Sequence, residues 1–292
     1  MRNRLRATLL LGSLVTSAAL LHASAPQVAT ATATASLATA ADQQFTADGI
    51  TLRYRDIGSG DPIVFIHGYT AALESLIGVA NALPGDYRKV ALDIRGFGRS
   101  TKFSEPSRFG QGMVDDVIRL MDHLNIQRAH LVGHSMGALI AANVVAKFPA
   151  RVSTAALVAG PFWGEPDITT ETKRWTTDLE NGNGLLNFIQ WLFPGMDPKA
   201  AAATNAGMMK ANDLGSLTAS MRSLPQLAIT GLPKDGARVI LVAGTADPLF
   251  PLSTAFAKQT PGAKMVEIAG ATHITVIMAP ETVKAITAQL QP

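Results

Sequence analysis

The run Gly133-His134-Ser135-Met136-Gly137 constrains this chain more than any other feature in it. It reads G-x-S-x-G, follows the apolar segment Ala129-His130-Leu131-Val132 and precedes Ala138-Leu139-Ile140-Ala141-Ala142. A short apolar strand, a tight turn and a helix of small residues are the context that gives this pattern meaning. The turn strains the serine backbone, and the flanking glycines let strand and helix approach where side chains would collide. The spacing therefore predicts a serine hydroxyl projecting into a cleft, with the next amide free to meet a negatively charged oxygen. The pentapeptide alone occurs by chance, so its partners have to be sought elsewhere in the chain.

From residue 50 onward, strand-like and helix-like segments alternate. Ile50 to Ile57, Pro62 to Ile66 and Lys89 to Asp93 read as strands, and the unbroken apolar run of the second predicts burial on both faces. Met113, Val117, Leu120, Met121 and Leu124 recur at helical spacing, with Asp115, Asp116, Arg119 and Asp122 expected on the surface. Thr154 to Ala159, Arg238 to Ala243 and Lys264 to Ile268 read as further strands, and a last helix spans Pro280 to Leu290. This alternation predicts an α/β fold with a mostly parallel sheet and helices on both faces. Residues 161–232 break the rhythm. They hold all three tryptophans, Trp163, Trp175 and Trp191, and helical patterns such as Leu185, Leu186, Ile189 and Leu192, with Met208 and Met209 in another segment. They read as a helical cap over the cleft, most of whose aromatics hold it together while a few line an apolar pocket. The core is then expected over residues 45–160 and 233–292.

The first residues have the pattern of an export signal. Arg2, Arg4 and Arg6 precede an uncharged apolar stretch from Ala7 to Leu21, and Ala23-Ser24-Ala25 is an A-x-A site. Pro26 makes that site awkward, so the signal is expected over residues 1–25 with cleavage as late as 31. An uncleaved anchor is the alternative, though the stretch is short for a bilayer span of about 20 residues. Residues 26–44 are expected to be a disordered lead-in. The net charge of +3 comes from 25 Lys and Arg against 22 Asp and Glu. Without the three arginines of the signal the balance is 22 against 22, so charge gives no support for nucleic-acid binding. With no cysteine, disulfides, thiol catalysis and thiolate metal sites are excluded. The histidines lack ligand spacing and no G-x-G-x-x-G is present, so neither a metal nor a dinucleotide cofactor is expected.

A serine hydroxyl is a poor nucleophile without a base, and the base needs an orienting carboxylate. Asp247 follows the strand Val239 to Ala243, in Gly244-Thr245-Ala246-Asp247-Pro248. His273 follows the strand Met265 to Ile268, in Ala269-Gly270-Ala271-Thr272-His273, and it is the only histidine beyond residue 134. Open α/β sheets gather their sites at such carboxyl ends. Glu165 and Asp167 stand in reserve as the acid. His67 and His134 read as structural or pocket-shaping, His123 and His130 as surface or packing residues. Asp93, Arg95 and Ser100 are expected to stabilise their own turn.

With these segments in order, the chain resembles the α/β-hydrolase superfamily, in the branch with a helical cap, over roughly residues 45–290. Besides Gly133 to Gly137, the likeness rests on Phe65-Ile66-His67-Gly68, on Asp93-Ile94-Arg95-Gly96-Phe97-Gly98-Arg99-Ser100, and on the segments that hold Asp247 and His273. The resemblance implies Ser135 as nucleophile, His273 as general base and acid, and Asp247 as the group that holds the imidazole tautomer. It also implies an oxyanion hole from the backbone N–H groups of Tyr69 and Met136. Relatives that open epoxides or remove halide use an aspartate nucleophile, so Ser135 points to acyl transfer instead. A carboxylic-ester hydrolase acting on a small or medium apolar substrate is the expectation. A lactonase, perhydrolase or carbon–carbon bond hydrolase with the same triad is the alternative, as is a ligand receptor on the same fold. The sequence leaves the oligomeric state open.

Overall fold

The computed structural model describes residues 36–161, 166–232 and 238–291. The expected export signal, most of the lead-in, Trp163, Glu165 and the side chain of Asp167 lie outside the described residues. In chain order the elements are β1 (Gln43–Ala47), β2 (Ile50–Ile57), β3 (Asp61–Ile66), α1 (Ile77–Ala82), β4 (Tyr87–Leu92), α2 (Gln111–His123), β5 (Ala129–His134) and α3 (Met136–Lys147). They continue with β6 (Val152–Val158), α4 (Pro166–Glu180), α5 (Leu186–Leu192), α6 (Pro198–Ala211), α7 (Leu214–Ser223), β7 (Arg238–Gly244), α8 (Phe250–Lys258), β8 (Lys264–Ile268) and α9 (Pro280–Leu290).

The strands form one eight-stranded sheet in the order β1-β2-β4-β3-β5-β6-β7-β8, antiparallel at β1/β2 and β2/β4 and parallel elsewhere. Register explains why the central strands read as unbroken apolar runs. Ala91, Phe65, Val132, Ala156 and Ile240 stand in one row across the sheet, and they pack with Val79 of α1 and Ile286 of α9. Their predecessors Val90, Val64, Leu131, Ala155 and Val239 point to the opposite face, because side chains alternate along a strand. There they meet Met113 and Val117 of α2 and Leu139 of α3. Both faces of the sheet are therefore covered, as a doubly flanked α/β fold requires. Its edges differ from its centre: β1 and β8 have five residues each, with Gln43, Gln44, Lys264 and Glu267 exposed.

Three expectations need correction. The lead-in reading fails over residues 36–44. Leu37 is fully buried against the α1 and α9 layer, and β1 begins at Gln43. Asp42 accepts from Arg53 Nη2 at 2.6 Å and Arg55 Nε at 2.7 Å, and it also pairs with Arg99. Hydrogen bonds to Arg53 hold the Asp42 carboxyl down at about 2 despite some burial. An Ala/Thr-rich composition does not reveal that one leucine and one aspartate anchor the segment. Asp116 is likewise buried rather than exposed. Arg95 grips it with both Nε and Nη2, at 2.6 and 2.5 Å. Arg95 thus ties its turn to α2 instead of stabilising the turn alone.

Between β6 and β7 lie, among the described residues, the helices α4 to α7. Asp197 and Asp213 cap α6 and α7 by accepting from Lys199, Ala200 and Ser216 amides, which satisfies N–H groups the helices leave open. Leu185, Ile189 and Leu192 are buried as the helical spacing predicts, and Leu186 is half-buried.

Candidate active site

Ser135 sits at the junction of β5 and α3 with φ 56° and ψ −119°, a left-handed conformation costly for a non-glycine residue. Its amide is held by Val158 O at 2.9 Å, and its carbonyl accepts from Ala138 N at 2.9 Å. The two glycines of the pentapeptide permit this geometry. A Cβ on Gly133 would lie 2.3 Å from Gly137 O, and one on Gly137 would lie 2.0 Å from Ile66 O. Helix, turn and β3 approach so closely that no side chain fits.

The loops after β7 and β8 bring the two partners to this serine. His273 is buried, with Nε2 2.8 Å from Ser135 Oγ and Nδ1 2.8 Å from Asp247 Oδ2. A carboxylate oxygen accepts, so Nδ1 carries the hydrogen and Nε2 is left to accept from the serine hydroxyl. The other oxygen of Asp247 accepts from Leu249 N at 2.9 Å, which fixes the carboxylate plane. Among the described residues, the sequence candidates Ser135, His273 and Asp247 thus form one hydrogen-bonded chain.

Two further histidines brace the arrangement while staying neutral. His134 Nε2–H donates to the His273 carbonyl at 2.9 Å, and the two rings lie 5.2 Å apart. Burial pushes the His134 imidazole down to about 4. His67 Nε2 accepts from Ile94 N at 3.0 Å, which leaves Nδ1–H to donate to Gly68 O at 2.8 Å. Burial lowers its imidazole as well. A cation beside His273 would oppose any positive charge forming on that ring, so two neutral braces are the compatible choice.

Gly68 brings the loop after β3 against the serine: a Cβ there would lie 3.1 Å from Ser135 Cβ. The amides of Tyr69, next to Gly68, and of Met136, next to Ser135, have no hydrogen-bond partner among the described residues. This loop is anchored from below. Asp93 Oδ1 accepts from Leu73 N at 2.8 Å, and Oδ2 accepts from Arg53 Nη1 at 3.0 Å and Arg99 N at 2.8 Å. Ser100 donates to Asp93 O at 2.7 Å and accepts from Arg53 N. The turn expected to stabilise itself therefore also supports the loop that carries Tyr69.

Ser135 and His273 lie where two cavities meet. The inner one is walled by Trp175, Trp191, Met221 and Leu249. The outer one runs past Thr70, Ser75 and Met208 to Ile274, which is 50% exposed. Tyr69, Phe188 and Leu192 border both. Reading the sequence placed aromatic residues near a pocket but did not pick out Ile168, Thr172, Met221 or Leu249. Leu249 alone carries a signal, since it follows Asp247 by two residues. Among the described residues, no three His, Asp or Glu side chains converge as a metal site needs.

A family model described as alpha/beta hydrolase fold matches residues 61–280. A dihydrolipoyllysine-residue acetyltransferase component of an acetoin cleaving system, from Cupriavidus necator, is 30% identical over 249 residues, covering 82% of this chain and 66% of that protein. The chain thus spans about two thirds of that relative's length. Among solved structures, a hydrolase from Pseudomonas aeruginosa superposes with a TM-score of 0.71 at 20% identity, covering 86% of this chain and 98% of its own. The enol-lactonase from Burkholderia xenovorans gives 0.68 at 21% identity, covering 85% and 99%. At these identities the structural likeness speaks to fold.

Proposed function

The chain belongs to the α/β-hydrolase family, and from that premise we propose that it is a serine hydrolase cleaving carboxylic esters of small or medium apolar acids through an acyl-enzyme. The observation that carries this reading is the Asp247–His273–Ser135 chain, with 2.8 Å at both links, opening on an apolar cavity. Ser135 Oγ attacks the acyl carbon as its proton passes to His273 Nε2. The oxyanion that forms is met by the free amides of Tyr69 and Met136, each such donor being worth about 3 kcal/mol of transition-state stabilisation. Collapse breaks the bond to the alcohol, which takes the proton from His273 Nε2 and leaves. Water then attacks the acyl carbon, gives its proton to the same nitrogen, and the acid departs as Ser135 regains its hydrogen. Asp247 holds the tautomer and stabilises the imidazolium throughout.

The two cavities fit the two halves of such a substrate. A leaving alcohol needs a route to solvent and an attacking water needs one inward, which the outer cavity with its exposed Ile274 supplies. The acyl group, retained on Ser135 between the two half-reactions, belongs in the inner cavity beneath the helices α4 to α7, which act as a cap. Export through residues 1–25 remains part of the proposal, checked by the N-terminal residue of the protein recovered outside the cytosol.

A p-nitrophenyl ester series with a serine-directed fluorophosphonate tests the central claim. Turnover and labelling at Ser135 are expected, and Ser135→Ala should cut turnover by about 10⁴-fold or more. No turnover and no labelling, or unchanged rates in the variant, would overturn it.

A further inference from the structure

Trp175 lies on α4, is 4% exposed and borders the inner cavity together with Ser135 and His273. Its indole Nε1–H is buried and has no hydrogen-bond partner. A buried indole N–H ordinarily finds an acceptor, and leaving one without is costly. Phenylalanine would put an aromatic ring there with no polar atom to satisfy. The ring is also held firmly: Phe188 packs edge-on at 5.0 Å and Trp191 at 5.1 Å. The hydroxyl donors around this cavity are already engaged. Ser135 donates to His273, Thr172 to Ile168 O at 2.6 Å and Tyr69 to Leu217 O at 3.0 Å. Among the side chains that border this cavity, Trp175 therefore carries a donor that is uncommitted.

We propose that Trp175 is a specificity-determining residue whose indole N–H takes an oxygen acceptor carried within the acyl chain, so that oxo- or ether-substituted acyl esters are preferred over plain alkyl ones. This rests on the reading of Ser135 as the residue that is acylated. When the acyl group occupies the inner cavity, its chain oxygen supplies the partner the indole lacks. A plain alkyl chain leaves that donor buried and unmet. Sites built to hydrogen-bond a substrate group discriminate against analogues without it for this reason.

The experiment compares p-nitrophenyl hexanoate with its 4-oxo and 5-oxo counterparts and with the ether isosteres, all sharing one leaving group. Each kcat/KM is divided by the hydroxide-catalysed rate of the same ester, which removes the electronic effect of the added oxygen. In the wild-type enzyme at least one oxygenated chain should exceed hexanoate by roughly 5- to 10-fold. Trp175→Phe should bring that ratio to about one, whatever it does to hexanoate turnover itself. A flat oxygen profile in the wild-type enzyme overturns the proposal whether or not the variant folds, and so does a preference that survives in Trp175→Phe. If no ester is turned over and Ser135 is not labelled, the hydrolase reading itself fails, and this inference falls with it.

Discussion

On the sheet side of the cavity the constraints are backbone ones, and on the side of the inserted helices they are side-chain ones. Ser135 is held by Val158 O and by glycines that admit no Cβ, and the loops of Asp247 and His273 are tied by Ala246 N donating to Ala271 O at 3.0 Å. Little of this can be exchanged without moving main chain. The inserted helices contribute Trp175, Phe188, Trp191 and Met221, which touch the cavity with replaceable side chains. The contrast teaches where variation is tolerated. Chemistry is placed by the part of the molecule that cannot yield, and the shape of the bound group is set by the part that can.

The largest expected effect lies on the sheet side. Asp247→Asn keeps the shape but removes the acceptor that holds Nδ1–H, so kcat should fall by about 10³- to 10⁴-fold. Single-turnover rates on a p-nitrophenyl ester read this, and near wild-type rates would break the division into placed and replaceable halves. An intermediate effect comes from His134. Its buried imidazole sits at about 4, below its ordinary 6.5, so the unfolded chain binds more protons than the folded one between those values. The contribution of His134 to folding stability is therefore complete above about 6.5 and should decline as pH falls toward 4, by up to about 1.4 kcal/mol per pH unit. Urea midpoints against pH measure the slope, and His134→Gln should reduce it, leaving the share of His67, whose imidazole burial also lowers. The smallest effect belongs to the helical side. Phe188→Ala, which joins the two cavities, should shift the butyrate-to-decanoate ratio by roughly 3- to 10-fold. Labelling of Ser135 by a small fluorophosphonate should be unchanged. A labelling rate that collapsed would show that the helices also place the reacting atoms.

The same division governs what could be read from the sequence. Ser135, Asp247 and His273 each stand in the first loop after a parallel strand, and a parallel sheet gathers such loops at one end, so their meeting followed from strand order. The need for glycine at 133 and 137 was legible for a similar local reason. Other features depend on how distant elements cross. Nothing in the residues around Asp116 says that Arg95 reaches it from another element, and nothing near Leu37 says that α1 and α9 leave a space for it. Trp175 and Trp191 look alike in the chain, and the packing of α4 against α5 decides which of them buries its N–H.

The ends of the sheet carry a consequence for how copies of this protein meet in concentrated solution. An eight-stranded sheet with a long apolar border would invite another chain to extend it as a ninth strand. Here both borders are five-residue strands carrying Gln43 and Gln44 on one side and Lys264 and Glu267 on the other. Short, polar borders guard a sheet against growing into a fibre. The apolar residues that make the centre stable are thereby kept from becoming a template.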